Sequence, residues 1–217
     1  MMKRFVWVLG LISMWLSAQA NAGTILVMGD SISAAYGMAV QEGWVSLLQE
    51  KLKQTPGLEQ ERVVNASISG ETSGGGLVRL PQALTTHQPD WVLLELGAND
   101  GLRGMSPTVM KSNLESMVRL SRQAGAQVLL LGMKIPPSYG PRYIQMFYEV
   151  YSQLADALHL PQVPFILEEV ALDPTLMQAD GLHPNARAQA LMADRIAKTL
   201  IPLLQSSRST GTDPHPP

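Results

Sequence analysis

The residues whose types could carry out covalent chemistry in this 217-residue chain are concentrated in a few short polar stretches. Gly29-Asp30-Ser31-Ile32-Ser33 offers a hydroxyl, and Ser67-Ile68-Ser69-Gly70-Glu71-Thr72 offers a turn with exposed backbone N–H groups. Gly97-Ala98-Asn99-Asp100 supplies a carboxamide, and Asp180-Gly181-Leu182-His183-Pro184-Asn185 places a carboxylate three residues before an imidazole. A serine hydroxyl becomes nucleophilic when a neighbouring base takes its proton, and an attacked carbonyl needs donors aimed at its developing oxyanion. Together these stretches hold the parts of a serine hydrolase, although each alone reads as an ordinary turn or helix cap. The chain carries its own control. Asp156-Ala157-Leu158-His159 repeats the Asp-x-x-His spacing, but inside a helical periodicity, where that separation is an ordinary surface neighbour distance. His87 precedes a strand at the wrong edge of a sheet and His215 lies in a polar tail, so His183 is the one histidine of the four placed for chemistry.

The elements that must position these stretches alternate along the chain. Short apolar runs at Thr24 to Met28, Arg62 to Ala66, Trp91 to Leu96 and Gln127 to Leu131 read as strands, with a short fifth at Val163 to Leu167. The third and fourth are apolar on both alternating faces, which suits a parallel sheet covered on both sides. Between the runs lie helical spacings, among them Trp44, Leu47, Leu48 and Leu52, then Met110, Leu114 and Met117, then Phe147, Tyr151 and Leu154, and finally Ala186 to Leu200. Strand and helix in alternation predict a three-layer α/β/α sandwich around a mainly parallel five-stranded sheet. In such sheets ligands bind at the carboxyl ends of the strands, where the polar stretches fall.

Composition narrows the class. A formal net charge of −2 with no cysteine argues against nucleic-acid binding, a thiolate metal site and a cysteine nucleophile. Residues 1–22 read as an export signal: Lys3 and Arg4, an apolar core from Phe5 to Leu16 far short of a bilayer span, then Ala20-Asn21-Ala22 as the cleavage site. The expected mature protein is periplasmic or secreted, keeps no membrane anchor, and consists of one domain over residues 23–205. Residues 206–217 lack apolar periodicity and are expected to be disordered.

The blocks Gly29-Asp30-Ser31-Ile32-Ser33, Gly70, Gly97-Ala98-Asn99-Asp100 and Asp180-x-x-His183, in that order, resemble the SGNH (GDSL) hydrolase family. Leu96 to Gly104, Pro136 to Tyr143 and Asp180 to Asn185 are similar to its bacterial periplasmic thioesterase, lysophospholipase and arylesterase subgroup. The resemblance implies a flavodoxin-like sandwich, Ser31 as nucleophile, His183 as base, Asp180 as its orienter, and Ser31, Gly70 and Asn99 as oxyanion donors. It implies small acyl ester or thioester substrates and no metal or cofactor. Ser31, expected to open a helix after the first strand, would add that helix's dipole. Met105, Ile135, Pro136, Pro137 and Tyr139 are candidates for an acyl groove, and Gly101 to Pro107 for a lid. An acetyl-esterase acting on polysaccharide or peptidoglycan could use the same parts. A non-catalytic binding module would keep the cleft without the chemistry. A nucleotide-binding flavodoxin-like protein would share the architecture, but no Gly-x-Gly-x-x-Gly follows the first strand. Glu95, in an otherwise apolar strand, has no role in this reading.

Overall fold

The computed structural model describes residues 22–210, so the export signal expected over residues 1–22 falls almost wholly outside the described residues. Five strands form one parallel sheet: Thr24–Gly29 (β1), Arg62–Asn65 (β2), Trp91–Glu95 (β3), Gln127–Leu131 (β4) and Gln162–Val163 (β5), in the order β2-β1-β3-β4-β5. β1, β3 and β4 are runs of Ile, Leu, Val and Met because helices cover both of their faces. Right-handed crossovers decide which helix lies where. Trp44–Lys53 (α1) carries the chain outward from β1 to β2 and packs beside Gln189–Thr210 (α6) on one face. Ser73–His87 (α2), Pro107–Gln123 (α4) and Pro141–Leu158 (α5) lead back across the sheet and form the other layer, with the short Ala98–Leu102 (α3) following β3. The helical spacings in the sequence mark the buried stripes: Trp44, Leu48 and Leu52 on α1, Met110, Leu114 and Met117 on α4, Phe147, Tyr151 and Leu154 on α5.

The connection from β1 runs to one side of the sheet, whereas the connection from β2 jumps over β1 to β3 on the other. This reversal opens a crevice at the carboxyl ends of β1 and β3, the place where open α/β sheets bind ligands.

Three expectations change. The fifth strand stops at Val163 instead of reaching Leu167, because Pro164 has no N–H to donate and the chain turns across Gly132, whose N–H and carbonyl bond Val163 and Ile166. No helix opens at Ser31. Ala35 at φ 57° and Gly37 at φ 75° are left-handed, so residues 31–37 form a compact turn and α1 begins only at Trp44. The domain also extends past residue 205, since α6 continues to Thr210 and the first part of the expected disordered tail is helical. The polar sequence there is held by tertiary contact: Arg208 pairs with the buried Glu61 and donates to the Gly57 carbonyl.

That pairing predicts a stability step. A chain ending at Gln205 deprives the buried Glu61 carboxylate of its guanidinium, and should be less stable than a chain ending at Thr210 by about 1–3 kcal/mol in urea denaturation. Equal midpoints would show that the last turn of α6 contributes nothing.

Candidate active site

Ser31 follows directly from the end of β1, and His183 reaches it from the loop between β5 and α6. That loop is a tight hairpin: Met177 bridges Pro184, and the Gln178 N–H donates to the His183 carbonyl at 2.7 Å. Asp180 closes its tip, with Oδ1 accepting from the backbone N–H groups of Leu182 at 2.9 Å and His183 at 3.0 Å. Its Oδ2 lies 2.6 Å from His183 Nδ1, and His183 Nε2 lies 2.9 Å from Ser31 Oγ. The His183 backbone N–H, together with the ring and the Leu182 N–H, holds the Asp180 carboxyl down at about 2. An ionised acceptor at Nδ1 favours the proton on that nitrogen, which leaves the Nε2 lone pair for the Ser31 hydroxyl.

Two further contacts dock the histidine loop on the serine turn. The Tyr36 ring lies against the imidazole with centroids 4.5 Å apart and planes tilted by 38°. Gln178 Nε2 donates to the Tyr36 carbonyl at 2.8 Å and to the Pro184 carbonyl at 3.0 Å.

The remaining donors come from the ends of β2 and β3. Gly70 adopts φ 79°, which a side chain would strain, and Arg103 Nη2 donates to its carbonyl at 2.9 Å. Gly97 at φ 121° turns the chain into α3, and a Cβ there would come within 2.5 Å of the Tyr151 hydroxyl. This turn presents Asn99, whose Nδ2 donates to Asp30 Oδ2 at 3.0 Å. The buried Asp100 accepts from the Ser73 N–H at 2.8 Å and the Ser73 hydroxyl at 2.5 Å, joining α3 to the start of α2 and so to the Gly70 turn. Among the described residues, the backbone N–H groups of Ser31 and Gly70 donate to no protein acceptor.

Below the site lie two buried acids. Burial pushes Asp30 up to about 6 against the opposing bonds from Ile32 and Asn99. Burial, and then the neighbouring Asp30 charge, raises Glu95 well above the usual carboxylate range.

The crevice over Ser31 and His183 is small, about 90 Å³, with apolar walls from Ile32, Leu102, Met133, Ile135, Pro136 and Leu167. Of the candidate groove residues, Ile135 and Pro136 line it. Met105 and Tyr139 do not: Tyr139 and Tyr143 line a neighbouring hollow, and their hydroxyls donate to the carbonyls of Leu102 at 2.7 Å and Met105 at 2.6 Å. They brace the segment considered as a lid. A larger hollow of about 530 Å³ between α1 and α6, lined by Lys51, Gln54 and Asp194 among others, contains neither serine nor histidine. His159 caps the far end of α5, at the opposite edge of the sheet. The roles of Tyr36, Asp100, Arg103 and Gln178 rest on tertiary partners and leave no local mark in the sequence. Only Glu95 gave a signal, as a lone acid at the carboxyl end of a doubly covered strand.

Comparison with known proteins identifies the family. Residues 27–191 match the model of the GDSL-like lipase/acylhydrolase family. Esterase TesA of Pseudomonas aeruginosa is 52% identical over 87% of this chain and 93% of its own. The thioesterase 1/protease 1/lysophospholipase L1 of Escherichia coli K12 is 46% identical over 85% of this chain and 86% of its own. The crystal structure of the psychrotrophic esterase EstA from Pseudoalteromonas, inhibited by monoethylphosphonate, superposes with a TM-score of 0.79 at 44% identity, covering 84% of this chain and 99% of that one. The chain belongs to the GDSL-like lipase/acylhydrolase family and is one of its serine ester hydrolases.

Proposed function

We propose that the protein hydrolyses acyl esters and thioesters through an acyl-enzyme on Ser31, with His183 as base and Asp180 as its orienter. The observation that carries this reading is the unbroken chain from Asp180 Oδ2 through the His183 ring to Ser31 Oγ. In the first half-reaction Ser31 Oγ attacks the carbonyl carbon while His183 Nε2 takes its proton. Asp180 stabilises the resulting imidazolium. The carbonyl oxygen, now an anion, is received by the free N–H groups of Ser31 and Gly70 and by the Asn99 carboxamide. Collapse breaks the bond to the leaving alcohol or thiol, which departs with the proton from His183. Water then attacks the acyl-enzyme with His183 again as base, and release of the acid restores Ser31. Each oxyanion donor of this type contributes about 3–4 kcal/mol to transition-state stabilisation. No helix stands behind Ser31, so these three donors carry that charge without a dipole at the nucleophile.

The reading extends to export: the basic start, short apolar core and Ala20-Asn21-Ala22 support cleavage after Ala22 and delivery to the periplasm or medium. Among the described residues no helix is long and apolar enough to cross a membrane.

Ser31→Ala should abolish hydrolysis with little change in thermal stability, and an alkyl phosphonate should add one adduct mass to the wild type and none to the variant. His183→Ala should be almost as damaging, whereas His159→Ala keeps near wild-type activity. Equal losses in the two histidine variants would reject the assignment of the base.

The apolar walls predict acyl selectivity. Each CH₂ removed from water contributes at most about 0.8 kcal/mol, so kcat/KM should climb from acetyl through short chains. It should then level once the small crevice is filled, and Leu102→Ala should penalise butyryl and longer p-nitrophenyl esters more than acetyl. The same small volume is what favours the acetyl-esterase reading. A series that peaks at acetyl, with Leu102→Ala affecting all chains alike, would establish that reading in its place.

A further inference from the structure

The cycle above leaves one buried acid unused. Glu95 ends β3 opposite Gly29 of β1 and is fully buried. Its Oε2 accepts from the Asp30 N–H at 3.2 Å and the Ser33 hydroxyl at 2.7 Å, while Oε1 has no hydrogen-bond partner among the described residues. Room for it exists because residue 29 is glycine: a Cβ there would lie 2.6 Å from both Glu95 Oε2 and Ser33 Oγ. Asp30, also fully buried, divides its oxygens between two donors. Oδ1 takes the Ile32 N–H at 3.0 Å and Oδ2 takes Asn99 Nδ2 at 3.0 Å. Asp30 therefore links the floor of the sheet, through its backbone N–H, to the carboxamide assigned to the oxyanion, through its carboxylate.

We propose that Asp30 is a positioning residue that aims the Asn99 carboxamide at the oxyanion, and that Glu95 fixes Asp30 from beneath. This rests on the Ser31 acyl-enzyme reading and assigns the two acids a task within it. An amide that spends one N–H on a fixed acceptor cannot swing about its side-chain torsions. Its second N–H is then preorganised, and no reorganisation is needed when charge develops.

The charge state fits this task. Two carboxylates in one dry cluster do not both ionise readily. Burial and the Asp30 charge favour the neutral acid at Glu95, while the bonds from Ile32 and Asn99 favour the anion at Asp30 against its own burial. The other titratable groups facing the pair are His183 from the histidine loop, which favours the Asp30 anion, and Tyr151 from α5, which Asp100 of α3 also faces. Tyr151 donates to the Leu96 carbonyl at 3.0 Å, and burial raises its phenol well above the usual range, so it adds no charge. A second negative charge at Glu95 would oppose formation of the oxyanion above it.

The test is a double-mutant cycle on the full mature enzyme. In Asp30→Asn the remaining oxygen stays with the nearby Ile32 N–H, and the new NH₂ meets the Asn99 NH₂ donor to donor. Its kcat should fall roughly tenfold or more with KM within about twofold, against roughly 10²–10³ for Asn99→Ala. The combined variant should fall no further than Asn99→Ala, because Asp30 acts through Asn99. Glu95→Ala should lower kcat as well, and Glu95→Gln, neutral and of the same shape, should restore most of it. Glu95→Gln should also flatten the loss of thermal stability with rising pH. The sign follows from the raised pKa: the folded protein holds this proton more tightly than the unfolded chain, so the contribution is complete below about 4 and is lost as pH rises through the folded value.

Wild-type kcat in Asp30→Asn, losses that multiply in the double variant, or Glu95→Gln no better than Glu95→Ala would overturn the proposal. Should Asp30→Asn fail to fold, the Asn99 carboxamide NMR signal, identified by its absence from Asn99→Ala, decides. It should titrate in a His183→Ala background with an acidic group other than histidine, and a signal flat with pH would overturn the proposal. Ser31→Ala separates the two levels, since activity surviving that change refutes the acyl-enzyme reading, whereas an inactive Ser31→Ala beside an unaffected Asp30→Asn refutes the positioning alone.

Discussion

The parallel pairing of β1 with β3 is the contact on which the rest of the molecule depends. It sets the Ser31 turn and the Asn99 turn side by side, and it creates the crevice by lying where the strand order reverses. Hydrophobic pattern alone specifies its register poorly. Ile25 to Met28 and Val92 to Leu94 are buried whichever face they point to, so a slip by one residue would keep most of that burial. Glu95 is different, because it fits only where Gly29 leaves space and only where the Asp30 N–H and Ser33 hydroxyl meet it. A slip would take its carboxyl away from these two donors, and a buried carboxyl without donors costs far more than a misplaced methyl group. The same acid that stands beneath the site is therefore met by groups that the observed alignment of the two central strands brings to it.

The second half of the site is assembled on a different principle. Asp180 and His183 belong to one turn, and the two backbone N–H bonds to Asp180 Oδ1, local to that turn, aim Oδ2 at the ring. The fold then has to bring this locally ordered pair to Ser31. Gln178 and Tyr36 do so by tying the turn to the loop after β1. The spacing repeated at Asp156 and His159 cannot serve, since His159 ends α5 at the other edge of the sheet.

The sequence carries the layered fold and the turns that hold Ser31, Gly70, Asn99, Asp180 and His183 because both depend on local features: apolar runs, helical spacings, and polar residues placed just after strands. What could not be read depends on tertiary partners. Glu95 acquires meaning only once register sets it beside Asp30. Asp100 looks like part of a turn until α2 brings Ser73 to it. Tyr139 looked like a groove residue from its place in an apolar loop, yet its hydroxyl turns to the Leu102 carbonyl and supports the crevice wall from behind. The end of α6 reads as a polar tail because the buried Glu61 that holds Arg208 lies far away in the chain. Polar residues after a strand often cap a helix, which is what the sequence around Ser31 suggests, and the left-handed Ala35 and Gly37 prevent it.

The account is tested most directly by a crystal structure of the mature protein after reaction with an alkyl phosphonate, whose tetrahedral phosphorus stands in for the attacked carbonyl carbon. The phosphorus should be bonded to Ser31 Oγ. One phosphonyl oxygen should lie about 2.7–3.1 Å from the Ser31 N–H nitrogen, the Gly70 N–H nitrogen and Asn99 Nδ2 together, with Asn99 still bonded to Asp30. An adduct on another residue, or a phosphonyl oxygen turned away from Gly70 and Asn99 into solvent, would contradict it.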